Sequence, residues 1–140
     1  IADYFDKHQA VKEYMDSQVE FCKANGYTET IIGRRRYIKE INSSNFMTRK
    51  LGERLAMNSP IQGSAADVIK LAMISVHRAL EENNLKSKLL QIHDELIIDT
   101  AIDEEEQVSK LLVDCMQKAM VLKVKLISQL NTGSNWYELK

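Results

Sequence analysis

The sequence has 140 residues, of which 44% are hydrophobic and 28% are charged, with a formal net charge of −1. This length suits one domain, and the composition is sufficient for a buried core. Because no apolar stretch approaches the roughly 18 residues of a membrane-spanning helix, the sequence excludes a membrane-spanning chain and argues against a membrane partner.

The first part of the sequence predicts helices around a short hairpin. Apolar residues recur at spacings of three and four before Asn25 and Gly26, which suits a helix that ends there. Clusters of Gly, Asn and Ser mark the turns that follow. In chain order we predict a helix over 1–25, a strand over 27–32, a turn over 33–36, a return strand over 37–41, a loop over 42–45 and a helix over about 46–57.

Pro60 predicts a break or kink, because proline cannot continue a helix without losing a hydrogen bond. Ser59 suits the N-cap of a second helix whose buried face begins at Ile61. The later elements are a helix over about 61–83, strands over 88–92 and 96–100, a helix over 103 to about 120 and a half-buried strand over 122–126. This order predicts an α+β fold, with helices packed on a small antiparallel sheet.

Charge is distributed unevenly along the sequence. Residues 31–58 hold seven Lys/Arg against two Glu, a balance of +5, and residues 81–106 hold two Lys against nine Asp/Glu, a balance of −7. A basic segment that contacts phosphates and an acidic one that holds divalent cations would explain the pattern, and so would two ordinary solvated faces. Cys22 and Cys115 are isolated, which is typical of reduced thiols in a cytoplasmic protein.

His93, Asp94 and Glu95 join two apolar, strand-like runs without a spacer. Mg²⁺ prefers oxygen ligands, and phosphoryl transfer commonly uses two such ions. Asp94 would supply one carboxylate, with Glu95 as a close neighbour, but the sequence offers no obvious second strong ligand. A solvated hairpin tip without chemistry is the alternative interpretation.

Arg54, Asn58 and Gln62 are spaced by four residues, so a continuous helix would present them near one face. Their side chains can donate hydrogen bonds to acceptors in the minor groove of DNA. A structural alternative exists for each amide, since Ser59 and Gln62 fit a capping box and Asn58 fits a local turn. Arg34, Arg35 and Arg36 lie in the predicted turn, where they either contact phosphates or are simply exposed.

These motifs, in this order, closely resemble the C-terminal part of family A DNA polymerases, the bacterial DNA polymerase I type. The resemblance covers nearly the whole chain. Its most specific parts are the run from Glu53 to Lys70 and the run from Gln91 to Leu96, which resembles the family's motif C. The matching segments are Gly33–Tyr37, Asn42–Phe46, Glu53–Lys70, Gln91–Leu96 and Asn135–Tyr137.

The resemblance implies a role for each candidate residue. Asp94 resembles the motif C aspartate, a catalytic residue and metal ligand, and Glu95 its catalytic acidic neighbour. The DNA-binding residues it implies are His93 at the primer terminus, with Arg54, Asn58 and Gln62 along the minor groove. The implied reaction is attack of a primer 3′-hydroxyl on a deoxynucleoside triphosphate, with Mg²⁺ as cofactor. The resemblance also implies a role in DNA replication and repair, in the bacterial cytoplasm at the nucleoid.

The sequence begins at Ile1 without an initiator Met, and we expect it to be a segment of a longer polymerase. On the family pattern, residues 1–58 would form the fingers/palm junction and residues 59–140 the palm with motif C. Neither the family's second catalytic aspartate nor its nucleotide-binding fingers helix is recognisable, so we expect the segment alone to be inactive. A non-catalytic DNA-binding module and a small metal-dependent hydrolase are the rival interpretations.

Overall fold

The structure is a computed structural model that describes residues 2–139. These residues form two compact units, which divide between Asp67 and Val68. Both are built from helices and one two-stranded antiparallel sheet each, so the predicted α+β class is confirmed. Along the described residues, no helix has both the length and the apolar character needed to cross a bilayer.

The predicted N-terminal helix is two helices, α1 over Ala2–Lys7 and α2 over Gln9–Asn25. They are separated at His8, which has a non-helical backbone (φ −126°, ψ 54°). Gly26 ends α2 in a left-handed conformation (φ 78°), and its N–H donates to the carbonyl of Cys22 at 2.7 Å. The predicted end of this helix is confirmed, since a left-handed C-terminal position favours glycine.

The first hairpin is shorter than predicted, with β1 over Tyr27–Glu29 and β2 over Arg35–Tyr37. The predicted turn over 33–36 and strand over 37–41 are wrong in their bounds. The turn closes earlier, because the Gly33 N–H donates to the Thr30 carbonyl at 2.9 Å. Arg35 and Arg36 therefore belong to a strand, and Lys39–Asn42 is a 3-10 helix.

A single helix, α3, runs over Phe46–Glu82, so the predicted break at Pro60 is wrong. The Asn45 side chain begins it by accepting the Thr48 N–H at 3.1 Å. Proline in a helix interior costs about 3 kcal/mol, because it lacks an N–H and crowds the preceding turn. Helical bonds on both sides and burial of the Pro60 ring offset that cost. Ile61, predicted to be buried, is 59% exposed.

The first unit has its core where α2, the 3-10 helix and α3 meet. Its buried residues are Cys22, Ile38, Ile41 and Ala56. Gly52 allows the close approach of α3, since a Cβ there would lie 2.7 Å from the backbone nitrogen of Ile41. Carbon and nitrogen atoms do not approach so closely, so this position requires glycine.

The second unit contains the hairpin of β3 (Lys88–Ile92) and β4 (Glu95–Asp99), followed by α4 (Glu105–Gln117). Both predicted strands are confirmed, within one residue at each end, and the predicted helix is confirmed with an earlier end. The hairpin and α4 pack on the second half of α3 around one apolar core. Its buried residues are Ile69, Ala72, Val76, Leu80, Leu96, Val108 and Leu112.

The predicted strand over 122–126 is wrong, because residues 121–135 form no helix or strand. Their apolar side chains are largely exposed, with Val121 98% and Val124 72% accessible to solvent. Alternation of apolar and polar residues produces a strand only where a neighbouring edge accepts its hydrogen bonds. No such pairing forms for this segment among residues 2–139.

We expect Gly52→Ala to destabilise the protein by about 1–3 kcal/mol, because the added methyl group meets backbone that cannot move aside. The sign of the change in the free energy of unfolding is diagnostic, since a glycine-to-alanine change in an unobstructed helix stabilises a protein by about 1 kcal/mol. Urea unfolding measures it, with Met47→Ala as the control at a 74% exposed position. A Gly52→Ala chain as stable as the original would contradict this packing.

Candidate active-site and nucleic-acid-binding residues

His93, Asp94 and Glu95 form the tip of the second hairpin, and we call them the acidic tip. Only His93 and Asp94 lie between the strands, since Ile92 pairs with Glu95 in an antiparallel register. His93 has a left-handed backbone (φ 55°), a conformation that costs a non-glycine residue free energy. The Gln91 side chain donates to the His93 carbonyl at 3.0 Å, which helps to hold the turn.

The strands behind the tip are anchored in the core, whereas the tip is in solvent. Leu96 is 8% exposed and belongs to the apolar core of the second unit. His93, Asp94 and Glu95 are all exposed. Because side chains alternate along a strand, burial of Leu96 directs its neighbour Glu95 to the opposite face. The hairpin thus presents two adjacent carboxylates on a fixed backbone.

The acidic tip does not make a complete metal site by itself. Within the described part of the chain, no group of three or more His, Cys, Asp or Glu side chains is arranged to hold a metal ion. Asp94 and Glu95 have the oxygen donors that Mg²⁺ prefers, but two side chains leave most of its coordination shell unfilled. The carboxylates present are compatible with part of a site.

The C-terminal 3-10 helix, Trp136–Leu139, lies beside the acidic tip. A shallow cavity of about 310 Å³ is lined by Ile92, the three tip residues, Trp136 and Leu139. Glu138 orders this segment by accepting hydrogen bonds from the backbone and hydroxyl of Ser134 at 2.8 and 2.9 Å. These bonds, with one from Asn135, lower the pKa of Glu138. Trp136 was not predicted to lie near the tip, and its place in the family-like Asn135–Tyr137 run was the only signal for it.

Arg54, Asn58 and Gln62 form an exposed row on α3, which we call the polar stripe. Four residues advance a helix by about 400°, so neighbouring members of the stripe are rotated by only about 40°. The structural alternatives for the amides are wrong. Ser59 is 7% exposed inside a continuous helix, so it is not an N-cap and Gln62 is not part of a capping box. Asn58 likewise lies in the helix interior and not in a turn.

Each arginine of the first hairpin has a partner within the protein. Arg34 Nη2 lies 2.8 Å from Asp67 Oδ1 and 3.2 Å from the Gly63 carbonyl. Arg36 Nη1 donates to Ser59 Oγ at 3.1 Å. All three arginines remain exposed, and about half of the Arg34 side chain is in contact with solvent. They are therefore braced by the protein while part of each guanidinium stays free.

Arg35 differs from the other two because its partners lie within the hairpin itself. Its Nε bonds Glu29 at 2.7 Å, and its guanidinium lies 4.5 Å from the ring centre of Tyr27. The hydrogen bond to Glu29 raises the pKa of the Arg35 side chain. These contacts join the two strands across the register pair Glu29 and Arg35.

Comparison with protein families gives one match over nearly the whole chain. The model of "DNA polymerase family A" matches residues 1–138. The chain belongs to DNA polymerase family A. The family implied by the sequence motifs is thereby confirmed.

Curated relatives agree with this family A assignment. DNA polymerase I of Caldicellulosiruptor bescii is 50% identical over 141 aligned positions, covering 100% of this chain and 17% of the relative. DNA polymerase I of Borreliella burgdorferi is 46% identical, covering 99% of this chain and 15% of the relative. The chain thus spans about a sixth of the length of the family A proteins it matches.

A solved family A structure has the same fold. The POL domain of Pol1 from M. smegmatis, in complex with DNA primer-template and dNTP, superimposes with a TM-score of 0.85 at 44% identity. The likeness covers 88% of this chain and 22% of that one. The small sheets and long helix described above therefore belong to the family A polymerase fold.

Proposed function

We propose that this chain is the C-terminal part of a DNA-directed DNA polymerase, a cytoplasmic enzyme that extends primers in replication and repair. The observation that carries the proposal is a family A chain with an exposed polar stripe and an exposed acidic tip. The M. smegmatis relative, solved with primer-template and dNTP, supports the same partners here. The reaction joins a primer 3′-hydroxyl to the α-phosphate of a deoxynucleotide and releases pyrophosphate.

In this proposal the acidic tip belongs to the catalytic site. Asp94 acts as a ligand of the divalent metal, Mg²⁺, with Glu95 beside it and His93 at the primer terminus. When bound, the metal would stabilise charge on the reacting phosphate. The strand register and the buried Leu96 fix the backbone from which these side chains project. Because residues 2–139 offer no group of three ligands, the remaining ligands would come from elsewhere in the polymerase.

The polar stripe serves as the minor-groove contact next to the newly formed base pair. Minor-groove acceptors occupy similar positions in all correct base pairs, so their contacts depend little on sequence. Arg54 and Gln62 can therefore test the shape of a pair without identifying the base. Arg34, Arg35 and Arg36 contact backbone phosphates with the parts of their guanidinium groups that remain exposed.

Asp94→Asn in the complete polymerase should lower kcat by about a thousandfold, since bound metal supplies several kcal/mol of transition-state stabilisation. Primer–template affinity should stay unchanged. Asp99→Asn is the matched control, because Asp99 is an exposed aspartate at the far end of β4, the strand that follows Asp94. The 140-residue segment, assayed in parallel, should not extend a primer, because its described residues offer no group of three metal ligands. Normal turnover in Asp94→Asn would instead favour a non-catalytic DNA-binding module.

Gln62→Ala in the complete polymerase should weaken primer–template binding about fivefold, the effect of losing a hydrogen bond worth about 1 kcal/mol. It should also reduce discrimination against mismatched primer ends. Fluorescence anisotropy and mismatch-extension assays measure the two effects. Gln117→Ala, at an exposed glutamine ending α4, is the control. Unaltered affinity together with unaltered discrimination would refute the minor-groove role.

A further inference from the structure

The first hairpin is bonded to α3 at positions that surround Pro60. The Ile31 N–H donates to Ser64 Oγ at 2.9 Å, and Arg36 bonds Ser59 Oγ. Arg34 bonds both the Gly63 carbonyl and Asp67. One contact reaches the residue before the proline, and the others reach Gly63, Ser64 and Asp67 within the two turns after it.

Pro60 is the weakest point of this part of the helix. It cannot donate the backbone hydrogen bond that every neighbouring residue donates, and its ring crowds the preceding turn. The hairpin adds contacts from outside the helix on both sides of the proline. Ser64 Oγ connects the two elements, since it accepts the Ile31 N–H and donates to the Pro60 carbonyl at 2.5 Å.

Gly63 allows the hairpin to come close enough for these bonds. A Cβ at Gly63 would lie 2.6 Å from Cγ2 of Thr30, well inside van der Waals contact. The small residue is therefore explained by tight packing between the hairpin and α3, and the Arg34 contact to the Gly63 carbonyl depends on that approach.

Asp67 is the charged residue among these anchoring points on α3, and it is buried. Only 4% of its side chain is exposed, and the Arg34 guanidinium bonds its Oδ1. Its Oδ2 is buried and has no hydrogen-bond partner within the described residues. A buried carboxylate with a single cationic partner depends strongly on that partner, because desolvation makes the unpaired charge costly. Arg34 thereby ties Gly63 and Asp67, one helical turn apart, to the hairpin.

The polar stripe lies on a different side of α3 from these contacts, and it crosses the proline. Asn58 precedes Pro60 and Gln62 follows it. The contacts from the hairpin reach a second row on the helix, Ser59, Gly63 and Asp67. A rotation of about 140° about the helix axis separates Gly63, in the middle of that row, from Asn58, in the middle of the stripe. A change of helix direction at Pro60 would therefore separate Gln62 from Arg54 and Asn58.

We propose that the first hairpin braces α3 across Pro60 and so keeps the two halves of the polar stripe aligned. Its bond to Ser59 holds the helix before the proline, and the positioning residues Arg34 and Asp67 hold it after the proline. The proposal rests on the proposed function for the part that concerns DNA, but the brace itself is a property of the protein. Asp67 is buried and cannot contact DNA, so its effect on DNA must pass through the helix. This separates the brace from a direct phosphate contact by Arg34.

Hydrogen–deuterium exchange of the complete polymerase without DNA tests the brace directly. In Asp67→Asn and in Arg34→Gln, amides just after Pro60 should exchange about tenfold faster than in the unaltered enzyme, as expected for loss of a charge-assisted bond. Arg34→Lys keeps the charge beside Asp67 and should restore most of the protection. Glu20→Gln removes an exposed ion pair with Lys23 on α2 and should leave these amides unchanged.

Primer–template affinity tests the alignment. Asp67→Asn should weaken binding by about the same factor as Gln62→Ala, and the double variant should be no weaker than either single variant, because both lose the same contact. Independent, additive losses would overturn the alignment claim. The melting temperature of each variant shows whether weaker binding comes from misalignment or from unfolding of the protein. Arg34→Gln is the milder variant for this purpose, because Arg34 is half-exposed.

The two proposals fail in different ways. Unaltered exchange after Pro60 in both Asp67→Asn and Arg34→Gln would overturn the brace, whatever the DNA assays give. Unaltered DNA binding in Gln62→Ala would contradict the minor-groove role, and the exchange result would still decide whether the brace exists.

Discussion

Continuity of α3 through Pro60 is the constraint on which the first unit depends. A break there would place Asn58 and Gln62 on separate helices, and the row of donors would be lost. The helix continues through Pro60 with hydrogen bonds on both sides, a buried proline ring and contacts from the hairpin to Ser64 and Asp67. The residue that most disrupts helical hydrogen bonding thus lies beside several contacts from the hairpin.

The main feature of the second unit is a short hairpin that holds two carboxylates at a fixed backbone position in solvent. Two five-residue strands with a two-residue connection leave little freedom at the tip, and Leu96 fixes the hairpin to the core. The left-handed His93 backbone is the cost of so short a connection. A tip of this kind suits shared ligation, since two carboxylates alone bind Mg²⁺ incompletely.

The sequence predicted those features that depend on local pattern. The β3–β4 hairpin follows from two apolar runs on both sides of a short polar connection, and the end of α2 follows from Gly26. The predictions were wrong where contacts between residues far apart in the sequence determine the local structure. Pro60 predicts a break from local chemistry alone, and the contacts from residues 31–36 that override it are more than twenty residues away along the chain. Alternation over 122–126 suggested a strand, but it has no partner edge among the described residues. Arg34 and Arg36 appeared free because their partners, Asp67 and Ser59, are likewise distant in sequence.

The central claim is that the polar stripe, held by the first hairpin, faces primer–template DNA. Site-specific photocrosslinking tests it most directly, with a benzophenone side chain placed at position 62 of the complete polymerase and, in a second variant, at the exposed Glu20 position of α2. The account predicts crosslinks from position 62 to duplex DNA near the primer terminus and none from position 20. Crosslinks from position 20 with none from position 62 would contradict it.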